Sequence, residues 1–232
     1  MHNRSYQMSY PVAHSSESAR QAFIRKTYLN LLLAVGGFVG LEVFLFSNGL
    51  AQHIFGMLLS VNWLIVLAGF MGLTWLANRF ASPSASKPQQ YMGLSLSVIL
   101  HAIIFVPVLS IAQLKTGGGA IESAALATGL GFSGLSFIAF STKTDFSFLG
   151  KAIMFACIGA VVLIACSAIF GFSLGVLFSV GMVIVAGMAI LYNTSNIIHH
   201  YPEDAYIAAS LSLFASVAMM FFYLLNIFSS RD

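Results

Sequence analysis

Seven stretches of about twenty residues each, almost free of charge, follow one another along this chain and leave it little to fold into except a lipid bilayer. They run from 28 to 47, 54 to 76, 91 to 112, 120 to 140, 151 to 171, 174 to 198 and 206 to 228. Inside hydrocarbon no water reaches the backbone N–H and C=O groups, so a crossing segment must be a helix or part of a closed barrel. Runs of this length without apolar–polar alternation select helices. The expected fold is all-α: a polytopic membrane protein of seven transmembrane helices, with residues 1–26 as a flexible tail and 27–232 as the membrane domain.

Only 7% of the 232 residues are charged and 59% are hydrophobic, where an ordinary globular chain is about a quarter charged. Such a surface excludes a water-soluble monomer. The net charge of +3 comes from scattered lysines and arginines, which make no basic patch and exclude nucleic acid as a partner. Cys157 and Cys166 lie nine residues apart in one apolar run; on a helix that is about 13 Å and half a turn, beyond disulfide reach. No Cys or His pair has metal-ligand spacing, and nothing in the sequence calls for a cofactor.

The tail is polar, with Arg4, Arg20, Arg25 and Lys26 against Glu17. Its apolar run begins too late for a cleaved signal peptide, so the first span is expected to be retained. The loops on the tail's side carry Arg79, Lys87, Lys143 and Lys151, while the opposite side has Lys115 and Arg231. That excess of cations places the N-terminus in the cytoplasm and Asp232 on the far side. Gly36 with Gly40, and Gly171 with Gly175, have the spacing that lets helices approach closely.

Ionisable groups within the spans are candidates for function. Glu42 stands near the outer end of the first span, from which a carboxylate is expected to snorkel to the interface. His101 lies mid-span, six residues before Pro107, and is expected to be neutral and bonded to nearby backbone; together they mark His101 and Glu42 as candidates for an intramembrane path. Glu122 suits the first turn of the fourth span. At the end of the sixth, Asn193, Asn196 and His200 recur at i, i+3 and i+7 and form one polar stripe, for which Ser212 and Ser216 of the seventh span are the available partners.

Gly131-Phe132-Ser133-Gly134 resembles the nucleophile motif of rhomboid serine proteases. A serine nucleophile needs its base within hydrogen-bond reach, yet His199 and His200 fall at the membrane edge, away from the depth of Ser133. No catalytic residue, and no enzyme, is expected.

Two stretches are more specific. Phe140 to Gly150, read FSTKTDFSFLG, and Ile190 to His199, read ILYNTSNIIH, resemble the cytoplasmic loop and the end of the sixth span of the Bax inhibitor-1 family; the closing Ser230-Arg231-Asp232 resembles its bacterial inner-membrane branch. The resemblance implies a seven-helix fold in the bacterial inner membrane and a modulator of the membrane-anchored AAA protease FtsH; the length and polarity of the cytoplasmic tail, residues 1–26, make it the segment expected to be gripped. The alternative it implies is a calcium or proton leak. Calcium-leak members carry an aspartate on each of the last two spans, where this chain has Asn193 and Ser216. Two close carboxyls share a proton and titrate as a latch, whereas an amide and a hydroxyl have none to share and lack the charge of a tight calcium site.

Overall fold

A computed structural model describes residues 11–142 and 144–230. It is helical throughout: α1 (Glu17–Ser47), α2 (Leu50–Ser60), α3 (Trp63–Phe80), α4 (Lys87–Thr116), α5 (Gly119–Ser141), α6 (Leu149–Phe170), α7 (Gly175–His199) and α8 (Tyr206–Ser229). Seven of these are long and apolar enough to cross a bilayer, and α2, with 11 residues, is not.

The expected span over 54–76 is interrupted. Val61 is extended and Asn62 caps a new helix, its side chain accepting from the Leu64 N–H at 2.9 Å. One asparagine in an apolar background is enough to restart the helix, because an N-cap satisfies donors that hydrocarbon would leave orphaned. The two-residue gap between the fifth and sixth runs is a real turn. Gly171 ends α6 at φ 74°, a backbone that a side chain would strain, and the Ser167 hydroxyl donates to the Phe172 carbonyl at 2.6 Å.

The tail is expected to stay flexible to residue 26, but α1 already begins at Glu17, where Ser16 accepts from the Ala19 N–H. Ahead of it a short turn, Val12–His14, docks on the bundle: Val12 is fully buried and its N–H donates to the Tyr201 carbonyl at 2.9 Å. The apolar Val12 anchor overrides the polar composition around it. At 31 residues, α1 is about 46 Å long. It therefore projects beyond about 30 Å of hydrocarbon and carries Glu17, Arg20, Arg25 and Lys26 out with it. Arg4, Lys143, Arg231 and Asp232 lie outside the described residues.

The last helix is the axis. α8 packs against α1, α4, α5 and α7, while α3 leans on α4 and α6 on α7. Buried Leu211, Leu213, Phe214 and Leu225 point from it into the main core with Phe38, Phe105, Val106 and Leu109. Of the glycines expected at helix contacts, Gly36 and Gly40 have open space where a Cβ would go, so they do not pack helices. The close approach is at Gly93, where a Cβ would stand 2.5 Å from the Ala77 carbonyl oxygen of α3. Gly131 also packs, against Met220 of α8, but Gly134 does not.

Candidate functional site

One end of the bundle gathers the chain's polar chemistry. There the α3–α4, α5–α6 and α7–α8 connections meet the segment that leads into α1. Lys87 donates from Nζ to the Asp204 carbonyl, and its ammonium also sits 4.5 Å from the centre of the Tyr206 ring. Six of the seven described lysines and arginines are at this end, with Lys115 at the other.

The stripe read along α7 divides in two. Asn193 faces α8: its Nδ2 donates to Ser216 Oγ at 2.8 Å and to the Ser212 carbonyl at 3.3 Å. The Ser216 hydroxyl donates back along its own helix to the Ser212 carbonyl at 3.0 Å. Ser212 Oγ donates to Ala208 O, which leaves it to accept from the Tyr201 hydroxyl at 3.2 Å. Burial pushes the Tyr201 phenol up and keeps it a neutral donor. Ser216 is ten residues into α8, about 15 Å along it. From Tyr201 at the mouth of the bundle to Ser216, four uncharged groups form one hydrogen-bonded chain.

His200 departs from the stripe because α7 ends at His199 and His200 leaves helical geometry at φ −121°. Its Nε2 reaches Asp145 Oδ2, in the α5–α6 connection, at 2.8 Å. Asp145 Oδ1 accepts from the Ser147 N–H at 2.9 Å and from the Ser195 hydroxyl at 3.2 Å, while Ser195 Oγ accepts from the Phe146 N–H at 2.9 Å. Partial burial works against the charged carboxyl, but the Ser147 N–H and the His200 ring outweigh it and hold Asp145 down to about 2. The connection is thus clipped to the end of α7 by a carboxylate with three donors.

Asn196 completes the end of α7 with its backbone, accepting from the His200 and Tyr201 N–H groups at 2.8 and 3.0 Å. With Tyr192, Ser147, His200, Pro83 and Pro202 it lines an open surface depression of about 450 Å³. The Tyr192 ring lies so close to α6 that a Cβ on Gly150 would stand 2.8 Å from it.

The remaining candidates lie elsewhere. His101 is 7% exposed, with Nδ1 at 2.8 Å from the Ser97 carbonyl and its ring edge-on to Phe70 and Phe214. Glu42 is 7% exposed as well, and neither carboxylate oxygen has a partner. Burial among core side chains overturns the expected snorkelling, because Glu42 shares its helix face with Phe38 and Leu45. Phe38 packs on Phe105 and on Phe214, the ring that also meets His101. No hydrogen bond links Glu42, His101 and the Asn193–Ser216 pair.

Asp145 was not singled out from the sequence. Its signal is local: Asp145-Phe146-Ser147 is an Asp-x-Ser turn, in which an acid bonds the backbone two residues on. Ser133 lies exposed on the outside of α5. Ser195, Asp145 and His200 are not arranged for nucleophilic attack, since the serine bonds the carboxylate and not the imidazole. No group of three or more His, Cys, Asp or Glu among the described residues could hold a metal.

Residues 20–232 match the family model described as inhibitor of apoptosis-promoting Bax1. The chain is 33% identical over 236 aligned residues to an uncharacterised Pseudomonas aeruginosa protein, covering 98% of this chain and 97% of that one. It is 34% identical over 182 residues to the modulator of FtsH protease YccA of Escherichia coli, covering 76% and 80%. To Bax inhibitor 1 of Schizosaccharomyces pombe it is 28% identical over 228 residues, covering 94% and 79%.

Proposed function

Because the chain belongs to the Bax inhibitor-1 family, we propose that it acts in a bacterial inner membrane as a modulator of the FtsH protease, without catalytic chemistry of its own. The likeness to the Escherichia coli modulator carries the reading. The cation-rich end faces the cytoplasm, since lysine and arginine are retained on that side, and the far end of α8 faces outward. FtsH meets the protein there, where the chain enters α1.

The grip is on the cytoplasmic N-terminal tail, ahead of the membrane body. Pulling on it loads a body of seven spans, each costly to draw from lipid. Deleting residues 2–10 from the full chain should abolish co-purification with FtsH while the membrane body keeps its helical content and melting temperature. Association that survives this deletion overturns the reading.

The Asn193–Ser216 bond favours a structural seam over a leak of calcium or protons at the place where leak-type relatives keep two acids. Purified protein in vesicles should show no steady calcium or proton flux; flux that falls on Asn193→Leu would establish conduction instead.

A further inference from the structure

Glu42 is the single buried acidic side chain among the described residues; Glu17, Glu122, Asp145, Glu203 and Asp204 are all exposed. It sits five residues before the end of α1, and both of its oxygens lack a donor. Elements packed against α1 bring it none: α5, which meets α1 where Phe132 and Phe140 touch Tyr28, has Glu122 as its one charged side chain, an exposed acid that offers no countercharge. On α2 the titratable group is His53, exposed, with its ring on the Gly49 carbonyl. On α4, His101 is held by Ser97 and Lys115 is exposed, while Lys87 and Tyr91 belong to the opposite end. α8 has Tyr206 at that opposite end and Tyr223, and it has no Asp, Glu, Lys or Arg. Phe38 and Leu45, on the same face, are buried in the core with Phe105, Leu109 and Leu225.

An ionised carboxylate without a donor or a countercharge is not tolerated in such surroundings, and the group neutralises by taking up a proton. From this geometry we propose that Glu42 is a proton-binding site within the membrane, occupied at neutral pH and distinct from the polar end of the bundle. The site goes beyond protease modulation and does not depend on it. Its ligand is the proton itself: uptake turns the carboxylate into a neutral acid, and release requires the last turns of α1 to give the carboxylate access to water.

Infrared spectroscopy of the full chain in lipid nanodiscs tests this directly. The wild type at neutral pH should show a protonated-carboxyl C=O stretch that shifts in heavy water, gives way to carboxylate bands as the pH is raised, and is missing from Glu42→Gln. Dicyclohexylcarbodiimide, whose central carbon adds the oxygen of a protonated carboxyl in an apolar setting as its nitrogen takes the proton, should modify Glu42 at neutral pH and less as the pH rises, as read by peptide mass spectrometry. A wild-type spectrum with no protonated carboxyl at neutral pH overturns the proposal whatever the variant does. So does a band that persists unchanged in a folded Glu42→Gln.

Discussion

His200 and Asp145, 55 residues apart in sequence, meet at 2.8 Å and clip the α5–α6 connection to the end of α7. Asp145→Asn should free that connection. Faster hydrogen exchange and proteolysis over 142–148 would register it, with little change in overall stability, because both side chains are about half exposed and such pairs contribute at most about 1 kcal/mol.

The clip should also answer to acid. Its carboxyl is held down to about 2, below the usual value of about 3.9, so its contribution is fully present above about 4 and disappears as the pH falls through about 2. Protection over 144–148, taken relative to the intrinsic exchange rate at each pH, should hold at mildly acidic pH and fall in that low window. In Asp145→Asn it should be low at every pH.

Asn193→Leu removes two hydrogen bonds but leaves Ser216 bonded to the Ser212 carbonyl. A loss of about 1 kcal/mol is expected, as for other hydrogen bonds between membrane helices. The double variant Asn193→Asp, Ser216→Asp places two acids where one bond of 2.8 Å now stands. They must share a proton, so the thermal stability of that variant should acquire a pH dependence near neutrality that the wild type lacks at this site.

Gly93→Ala should be strongly destabilising, by about 2 kcal/mol or more, because the new methyl group would meet backbone atoms of Ala77 and Ala81 at 2.5 and 2.7 Å. Gly36→Ala, with nothing within 4 Å, should be neutral or mildly stabilising. Comparing their thermal unfolding in detergent checks both.

Gly150→Ala should push the Tyr192 ring off α6, since ring atoms begin 2.8 Å from the new methyl. Tyr192 lines the 450 Å³ depression, so the change should appear as altered accessibility of a cysteine placed at Ser147, with the helix content unchanged.

The seven spans were legible because hydrocarbon demands an apolar run long enough to cross it, and a chain either has one or does not. Contacts within a run were harder to read. Glycine spacing pointed to Gly36 and Gly40, but spacing does not say which side of a helix meets a neighbour, and the close approach fell to Gly93 instead. Asn193 and Ser216 were readable as a pair because both lie on regular helices. Helical spacing puts His200 on the same stripe, yet α7 stops one residue earlier and the imidazole turns to a loop that no periodicity connects to it. The distance of Glu42 from the end of the run suggests reach to the interface; its burial on the face it shares with Phe38 and Leu45 depends on how α1 is rotated against its neighbours.

That α8 is the axis has a consequence for biogenesis. A ribosome delivers helices from the N-terminus onward, so the segment around which α1, α4, α5 and α7 assemble is the last of the seven spans to enter the bilayer. Until it arrives, the earlier spans surround an unfilled slot. A nascent chain stalled after His199 would therefore be lodged in lipid without its keystone, a half-built object for the cell's quality control to recognise.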